Sequence, residues 1–326
     1  MNKAKRSLFA PLACLAACIV VLSLPAAAQT RGRPIAIVVP FGAGGGGDLV
    51  ARSLAPVLSS RLNAPVIVEN RTGAGGAIGV THVVNSPPDG QTILFMSNGI
   101  TIDPAIKLKP AYDPRKDLRA LTLAHRGVMG VFVSPQLKIS SIRELISLAK
   151  ASPGKLNYAH PGLGSYAHLT AEQFKMTAGI DVVGVPYSGT PPTVTATIAN
   201  DTQFTITETG STRPLWESGK IKLVAIAAAQ RAPSMPNIPT TAESGLPGYE
   251  ASFWYGAFVP AATPNTIFDR LESEFTDVLA MPDIREKIAT LGFTASGMRA
   301  EEFRRLVEAE VRQWEEVVRK AGIPRQ

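Results

Sequence analysis

Residues 40–48 read PFGAGGGGD and follow the apolar run IAIVV. Gly42, Gly44 and Gly47 hold the G-x-G-x-x-G spacing with which a dinucleotide pyrophosphate approaches a helix N-terminus. Glu69, at the end of a second apolar run, stands where such a site keeps its ribose-binding acid. Asp48 opposes that chemistry, because a carboxylate in the first helical turn competes for the same N–H groups and repels phosphate. The same geometry still offers backbone N–H groups, at the positive end of a helix dipole, to a small anion such as a carboxylate. Two more glycine turns recur, at residues 73–79 and 162–164. The first and third are predicted to cradle a ligand from different lobes, and the middle one to be a tight strand-to-helix connection.

Other chemistry is thin. The four histidines, His82, His125, His160 and His168, show no metal-ligand spacing. Ser165 follows a strand-like run and a glycine turn, but GLGSYAH is not the G-x-S-x-G of a nucleophile elbow. SPGK at 152–155 matches S-x-x-K yet reads as a helix end with a Pro-Gly turn. No acid–base pair accompanies the glycine turns, so no catalytic residue, no metal and no cofactor is expected. An exported NAD-type oxidoreductase is the weaker alternative.

The elements that must position the turns alternate in type. IAIVV, PVIVE and QTILFMS read as strands. They are separated by helical runs, one carrying Leu54, Val57, Leu58 and Leu62 at helical spacing. A second series starts near residue 128 with VMGVFVS, the helix SIRELISLAKAS, the strand LNYAH and the helix YAHLTAEQFKMTA. DVVGVPY, QFTIT and KLVAIAAA continue it, and FWYGAFV adds a strand after a Pro- and Gly-rich loop. This βαβ alternation predicts two α/β lobes built on parallel strands. Thr263-Pro264 is read as a helix start with Thr as the cap. The final helix carries a stripe of Phe303, Leu306, Val307, Val311, Trp314 and Val318.

The N-terminus has the three parts of a secretory signal: basic MNKAKR, an apolar stretch, and an A-x-A site predicting cleavage before Gln29. LAAC at 15–18 resembles a lipoprotein box, but the apolar run continues past Cys18, so a lipid anchor is the lesser expectation. Both cysteines, Cys14 and Cys18, lie in this leader, which leaves the mature chain without thiols. The formal charge of +7 is spread without any long basic block, which argues against a nucleic-acid partner.

The block PIAIVVPFGAGGGGDLVARSLAPVLSSRL, followed by PVIVENRTGAGGAIG, resembles the Bug receptors, periplasmic solute-binding proteins of tripartite tricarboxylate transporters. The resemblance continues through PDGQTILF, YDPRKDL, VPYSGTPP, LPGYEASFWYGAFVPAATP and AEVRQWEEVVRKAGI, covering essentially the whole mature chain. It implies a type II periplasmic binding protein fold, α/β, with two lobes joined by two crossing strands. Residues 1–28 would be the signal peptide, 29–127 with 254–326 lobe 1, and 128–253 lobe 2. It also implies a periplasmic monomer that passes a small carboxylate to a membrane permease of a large and a small subunit. A sensing module that signals to a membrane partner is the alternative. The ligand contacts so implied are Phe41, Gly42, Ala43, Gly44, Gly45, Gly46 and Asp48 in the first turn. In the third turn they are Gly162, Leu163, Gly164, Ser165 and His168; Ser97, Asn98, Tyr187, Thr207 and Glu208 are further candidate contacts. The chain departs from the family pattern at His160, where a serine is common, and at Ala196, where an Asp is frequent. It also has Ile206-Thr207-Glu208 in place of a Phe-Asp-Asn-like stretch, and Asp103-Pro104 in place of Asn-Pro. If Glu208 faces the cleft, it should disfavour a second ligand carboxylate and favour an amine or hydroxyl.

Overall fold

The computed structural model describes residues 32–232 and 234–320. The export signal, its cleavage point and Cys18 lie outside the described residues. The chain begins with β1 (Ile35–Val39), α1 (Gly46–Leu62), β2 (Val66–Asn70), α2 (Ala77–Val84), β3 (Thr92–Ser97) and α3 (Asp103–Ile106). β1 lies parallel between β2 and β3. Its residues are apolar without alternation because both faces are covered. Ile37 and Val39 join the cluster that holds α1 residues Leu54 and Leu58, while Val38 joins the cluster of Val80 and Phe303.

β4 (Leu118–Val133) is followed by α4 (Ile142–Ala151), β5 (Asn157–His160), α5 (Tyr166–Ala178), β6 (Val183–Pro186) and α6 (Thr190–Ala199). Then come β7 (Phe204–Glu208), α7 (Arg213–Glu217), β8 (Lys222–Ile226) and β9 (Ser252–Pro260). The end of the described chain is α8 (Asn265–Ala280), α9 (Pro282–Thr290), β10 (Thr294–Arg299) and α10 (Ala300–Lys320). The sheet order is β2-β1-β3-β9-β4-β7-β5-β6, with β8 and β10 also paired to β4.

The sequence placed a strand only from residue 128, whereas β4 starts ten residues earlier. Its long first part pairs antiparallel with β9, from Leu118 opposite Pro260 to Val128 opposite Ser252. From Met129 onward it pairs instead with β7, Met129 facing Glu208. One strand therefore runs through both halves of the sheet, and the approach to β9 runs beside it. α8 and α10 pack on β4 and β10, so the C-terminal helices return to the β1–β3 half. β10 was not anticipated: TASGMR is polar and contains Gly297, and its pairing with β4 is irregular. Thr263 does not cap α8; its hydroxyl donates to the Pro260 carbonyl at 2.8 Å, and Pro264 takes the cap position. In α10, Phe303, Val307 and Val311 are buried, while Leu306 and Trp314 are half-buried. The Val318 side chain is outside what the structure describes.

Candidate functional site

The first turn leaves β1 at Pro40 and enters α1 at Gly46, three residues before the apolar helical pattern begins. Gly44 has φ +83°, a backbone state that costs glycine nothing. Its N–H donates to Asp48 Oδ2 at 2.9 Å. Arg52 Nε and Asn70 Nδ2 donate to Asp48 Oδ1, each at 3.0 Å, and Asn70 Nδ2 also donates to the Phe41 carbonyl at 2.9 Å. Burial alone would raise the Asp48 carboxyl, but these hydrogen bonds and the Arg52 charge outweigh it and hold the group below the ordinary carboxylate range. Asp48 thus closes the turn from inside.

Gly46 and Gly47 are buried for a different reason. A Cβ on Gly46 would collide with Glu208 Oε2 and lie 2.7 Å from Phe293 Cζ. A Cβ on Gly47 would run into the Tyr255 ring. These glycines are spaces into which side chains from β7, β9 and the segment before β10 fit against the helix N-terminus. That is the physical alternative to a dinucleotide cradle.

The third turn follows β5. Gly162 and Gly164 have φ of +135° and +76°, and Ser165 caps α5 by accepting from the His168 N–H at 3.2 Å. The Ser165 hydroxyl donates to the Gly162 carbonyl at 2.7 Å, and His168 Nδ1 accepts from the Gly164 N–H at 3.2 Å. The His168 and His160 rings lie 4.3 Å apart, and both His160 nitrogens lack a partner among the described residues. Burial, with His168 beside it, pushes His160 down to about 4. Burial also lowers His168. A neutral imidazole pair therefore supports the turn.

Between these turns lies a narrow cavity of about 40 Å³, room for a few water molecules with the turns as they stand. Phe41 and Ser97 line one side, and Pro161, Ser165, Tyr166 and Ala167 line another. Met129, Phe253 and Tyr255 of the paired long strands form more of the wall. Thr190, Thr207 and Glu208 complete it. A wider space of about 360 Å³, within the size range of small-molecule sites, adjoins at Phe41 and Pro161, between residues 72–76, Gly42, Gly162, Leu163, Tyr187 and Ser188. The turns touch across it. A Cβ on Gly42 would lie 2.7 Å from the Ser188 carbonyl oxygen, and one on Gly75 would strike the Leu163 carbonyl oxygen.

Glu208 is 6 % exposed. Its Oε1 lies 3.5 Å from the Thr190 hydroxyl, and its Oε2 has no hydrogen-bond partner among the described residues. Burial raises its carboxyl to about 7, against the opposing pull of the Gly46 amide and the Thr190 hydroxyl.

Of the sequence-predicted residues, Phe41, Ser97, Ser165, Thr207 and Glu208 reach the smaller cavity. Phe41, Gly42, Gly162, Leu163 and Tyr187 reach the wider one. Ala43 is exposed at the tip of its turn. Gly44, Gly45, Gly46, Asp48, Gly164 and His168 build the turns but line neither space. Asn98 lines neither as well; it is buried, and its amide reaches the Ser252 carbonyl at 3.4 Å. Sequence reasoning missed Tyr166, Thr190, Met129, Phe253 and Tyr255. A signal existed for the last three: they lie in VMGVFVS and FWYGAFV, both read as strands at the proposed lobe boundaries, and Phe253 and Tyr255 share one strand face. It also took the middle turn as a mere connection. In the structure residues 73–76 have positive φ throughout, Ala74 included at +48°, and face the third turn.

Residues 50–323 match the family described as the tripartite tricarboxylate transporter family receptor. The chain belongs to this family. It is 32 % identical over 304 residues to the protein BugT of Bordetella pertussis, covering 92 % of this chain and 93 % of BugT. Its fold superposes on the periplasmic binding protein BugD with a TM-score of 0.86 at 33 % identity, covering 90 % of this chain and 99 % of BugD. A second solved structure, MatC from Rhodopseudomonas palustris with bound malate, gives 0.84 at 31 % identity over 88 % and 99 % of the two chains. The receptor is therefore a solute-binding protein with the mixed α/β fold of periplasmic binding proteins. Among the described residues no helix is long and apolar enough to cross a membrane, and no group of His, Cys, Asp or Glu could hold a metal.

Proposed function

We propose that this receptor captures a small carboxylate in the periplasm and hands it to a membrane permease of a large and a small subunit. The observation that carries this reading is the single cavity lined at once by Phe41 of the first turn, the N-terminal residues of α5, and the paired strands β4 and β9. Helix α5 brings its N-terminal amides to that cavity, where they favour an anion without any lysine or arginine. MatC, with malate bound, supports carboxylate as the ligand class. Of the described residues, 32–127 with 254–320 form one lobe and 128–253 the other, and β4 and β9 carry the chain between them. Neither turn alone offers enough contacts, so ligand shifts the population toward the closed form. The protein acts as a monomer after export and cleavage before Gln29.

The test is calorimetry of the purified mature protein against three- to six-carbon mono- and dicarboxylates and matched neutral amides, with solution scattering to follow compaction. Saturable binding of a carboxylate, absent for its amide and accompanied by a smaller radius of gyration, is the expected result. Failure of every carboxylate, or binding without compaction, overturns the reading. N-terminal sequencing of protein recovered from the periplasm checks the cleavage point.

A further inference from the structure

Glu208 is the one acidic or basic side chain on the wall of the smaller cavity, which holds no lysine or arginine among the described residues. Its Oε2 is buried, lies against the first residue of α1 where Gly46 leaves room for it, and makes no well-formed hydrogen bond among the described residues, although the Gly46 amide is near enough to favour its charged form. A buried carboxylate oxygen with an open acceptor site calls for a donor, and a cation satisfies it best. The carboxylate also takes up the α1 N-terminus that an incoming anion would use, which leaves the Tyr166 and Ala167 amides of the α5 N-terminus for the ligand's own carboxylate, the Ser165 N–H being held by the Gly162 carbonyl. A dicarboxylate would set a second anion beside Glu208 with no side-chain cation to offset the pair.

We propose that Glu208 selects ligands carrying a cationic nitrogen at the end opposite their carboxylate, so that this receptor takes amino carboxylates in preference to dicarboxylates. This rests on the carboxylate reading above and deepens it. The groups facing Glu208 leave it as the titrating element of that pocket. From α1 comes the Gly46 amide, with Asp48 turned away onto Gly44, Arg52 and Asn70. From α6 comes the Thr190 hydroxyl, and from β9 the Tyr255 phenol, which burial and the Glu208 charge hold well above its ordinary range. Preference for the amino compound therefore strengthens above neutral pH, where Glu208 is ionised, and fades in acid, where its carboxyl is neutral.

The experiment compares chain-matched pairs by calorimetry at pH 8.5 and 5.5: β-alanine with succinate, 4-aminobutanoate with glutarate, and 5-aminopentanoate with adipate. The expected result at pH 8.5 is that the best amino carboxylate binds the wild type at least about tenfold more tightly than its dicarboxylate partner, equivalent to about 1.4 kcal/mol. That ratio should shrink at pH 5.5 and fall within about threefold in Glu208→Gln. The wild-type ratio and its pH dependence stand even if the variant folds poorly. A dicarboxylate that binds more tightly than its amino partner at pH 8.5, or a ratio unmoved in folded Glu208→Gln, overturns this inference and leaves carboxylate capture standing. Should dicarboxylate binding instead strengthen in acid beyond that of the amino compound, Glu208 serves as a proton-sharing partner, and the inference fails. If no carboxylate of either kind binds, the proposed function falls and this inference with it.

Discussion

Gly75 offers the sharpest test of closure, because every atom crowding it belongs to the opposite turn. A Cβ there would strike the Leu163 carbonyl oxygen and lie 3.0 Å from Gly164 C and 3.2 Å from Ser165 N. These are backbone atoms and cannot rotate away. Gly75→Ala therefore acts in two separable ways. The φ of +64° costs an alanine about 1 kcal/mol in either form of the protein. The contact with residues 163–165 arises only when the turns meet, and overpacking of this kind costs about 1–3 kcal/mol. The strain cancels between open and closed forms, so affinity for the best-bound carboxylate should fall by about 5- to 150-fold.

Gly164→Ala is the matched control. Its φ is +76°, yet nothing lies within 4 Å of where the Cβ would stand. Both variants should lose comparable thermal stability without ligand, and only Gly75→Ala should lose affinity and ligand-induced compaction. Equal affinity loss in the two, or unchanged binding in Gly75→Ala, would refute the view that these turns must touch for capture.

Asp48→Ala strips the Gly44 N–H and the Asn70 amide of their shared acceptor, and should cost about 2–3 kcal/mol in chemical denaturation; a loss below about 0.5 kcal/mol would show that the turn holds without it. Burial raises Glu208 from 4.5 to about 7, so its neutral form is favoured on folding: that contribution is complete below pH 4.5 and is lost as pH rises to about 7. The loss is at most about 3 kcal/mol, and Glu208→Gln should remove it from a pH series of melting curves. His125 has the opposite sign, since burial pushes it down to about 3 and stability is lost as pH falls through 6.5. Both its nitrogens lack partners among the described residues, and its ring stacks on Tyr255 at 5.1 Å. His125→Phe should therefore stabilise the protein more at pH 5 than at pH 8, by about 2 kcal/mol; an equal effect at both values would exclude its titration as the cause.

The strands were legible where burial on both faces makes the sequence uniformly apolar, as in Ile35–Val39, and the helices where local capping decides their ends. Helix α4 begins at Ser141, whose Oγ accepts from the Glu144 N–H while Glu144 reaches back to the Ser140 N–H. All of that lies within five residues. β10 escaped because its pairing with β4 is set by residues far away in sequence and not by its own pattern. The glycine run shows the same division. Gly44 could be read from sequence as a left-handed turn residue, since that requirement is local. Gly46 and Gly47 could not be assigned a purpose, because a missing side chain does not say what fills its place. What fills it comes from Glu208 on β7 and Tyr255 on β9, brought there only when the sheet halves assemble. A fingerprint of glycines alone thus fits a phosphate cradle and a socket for side chains equally well. The buried neighbour decides between them, and here the neighbour is an acid, which turns a site shaped for anions into one that also asks for a cation.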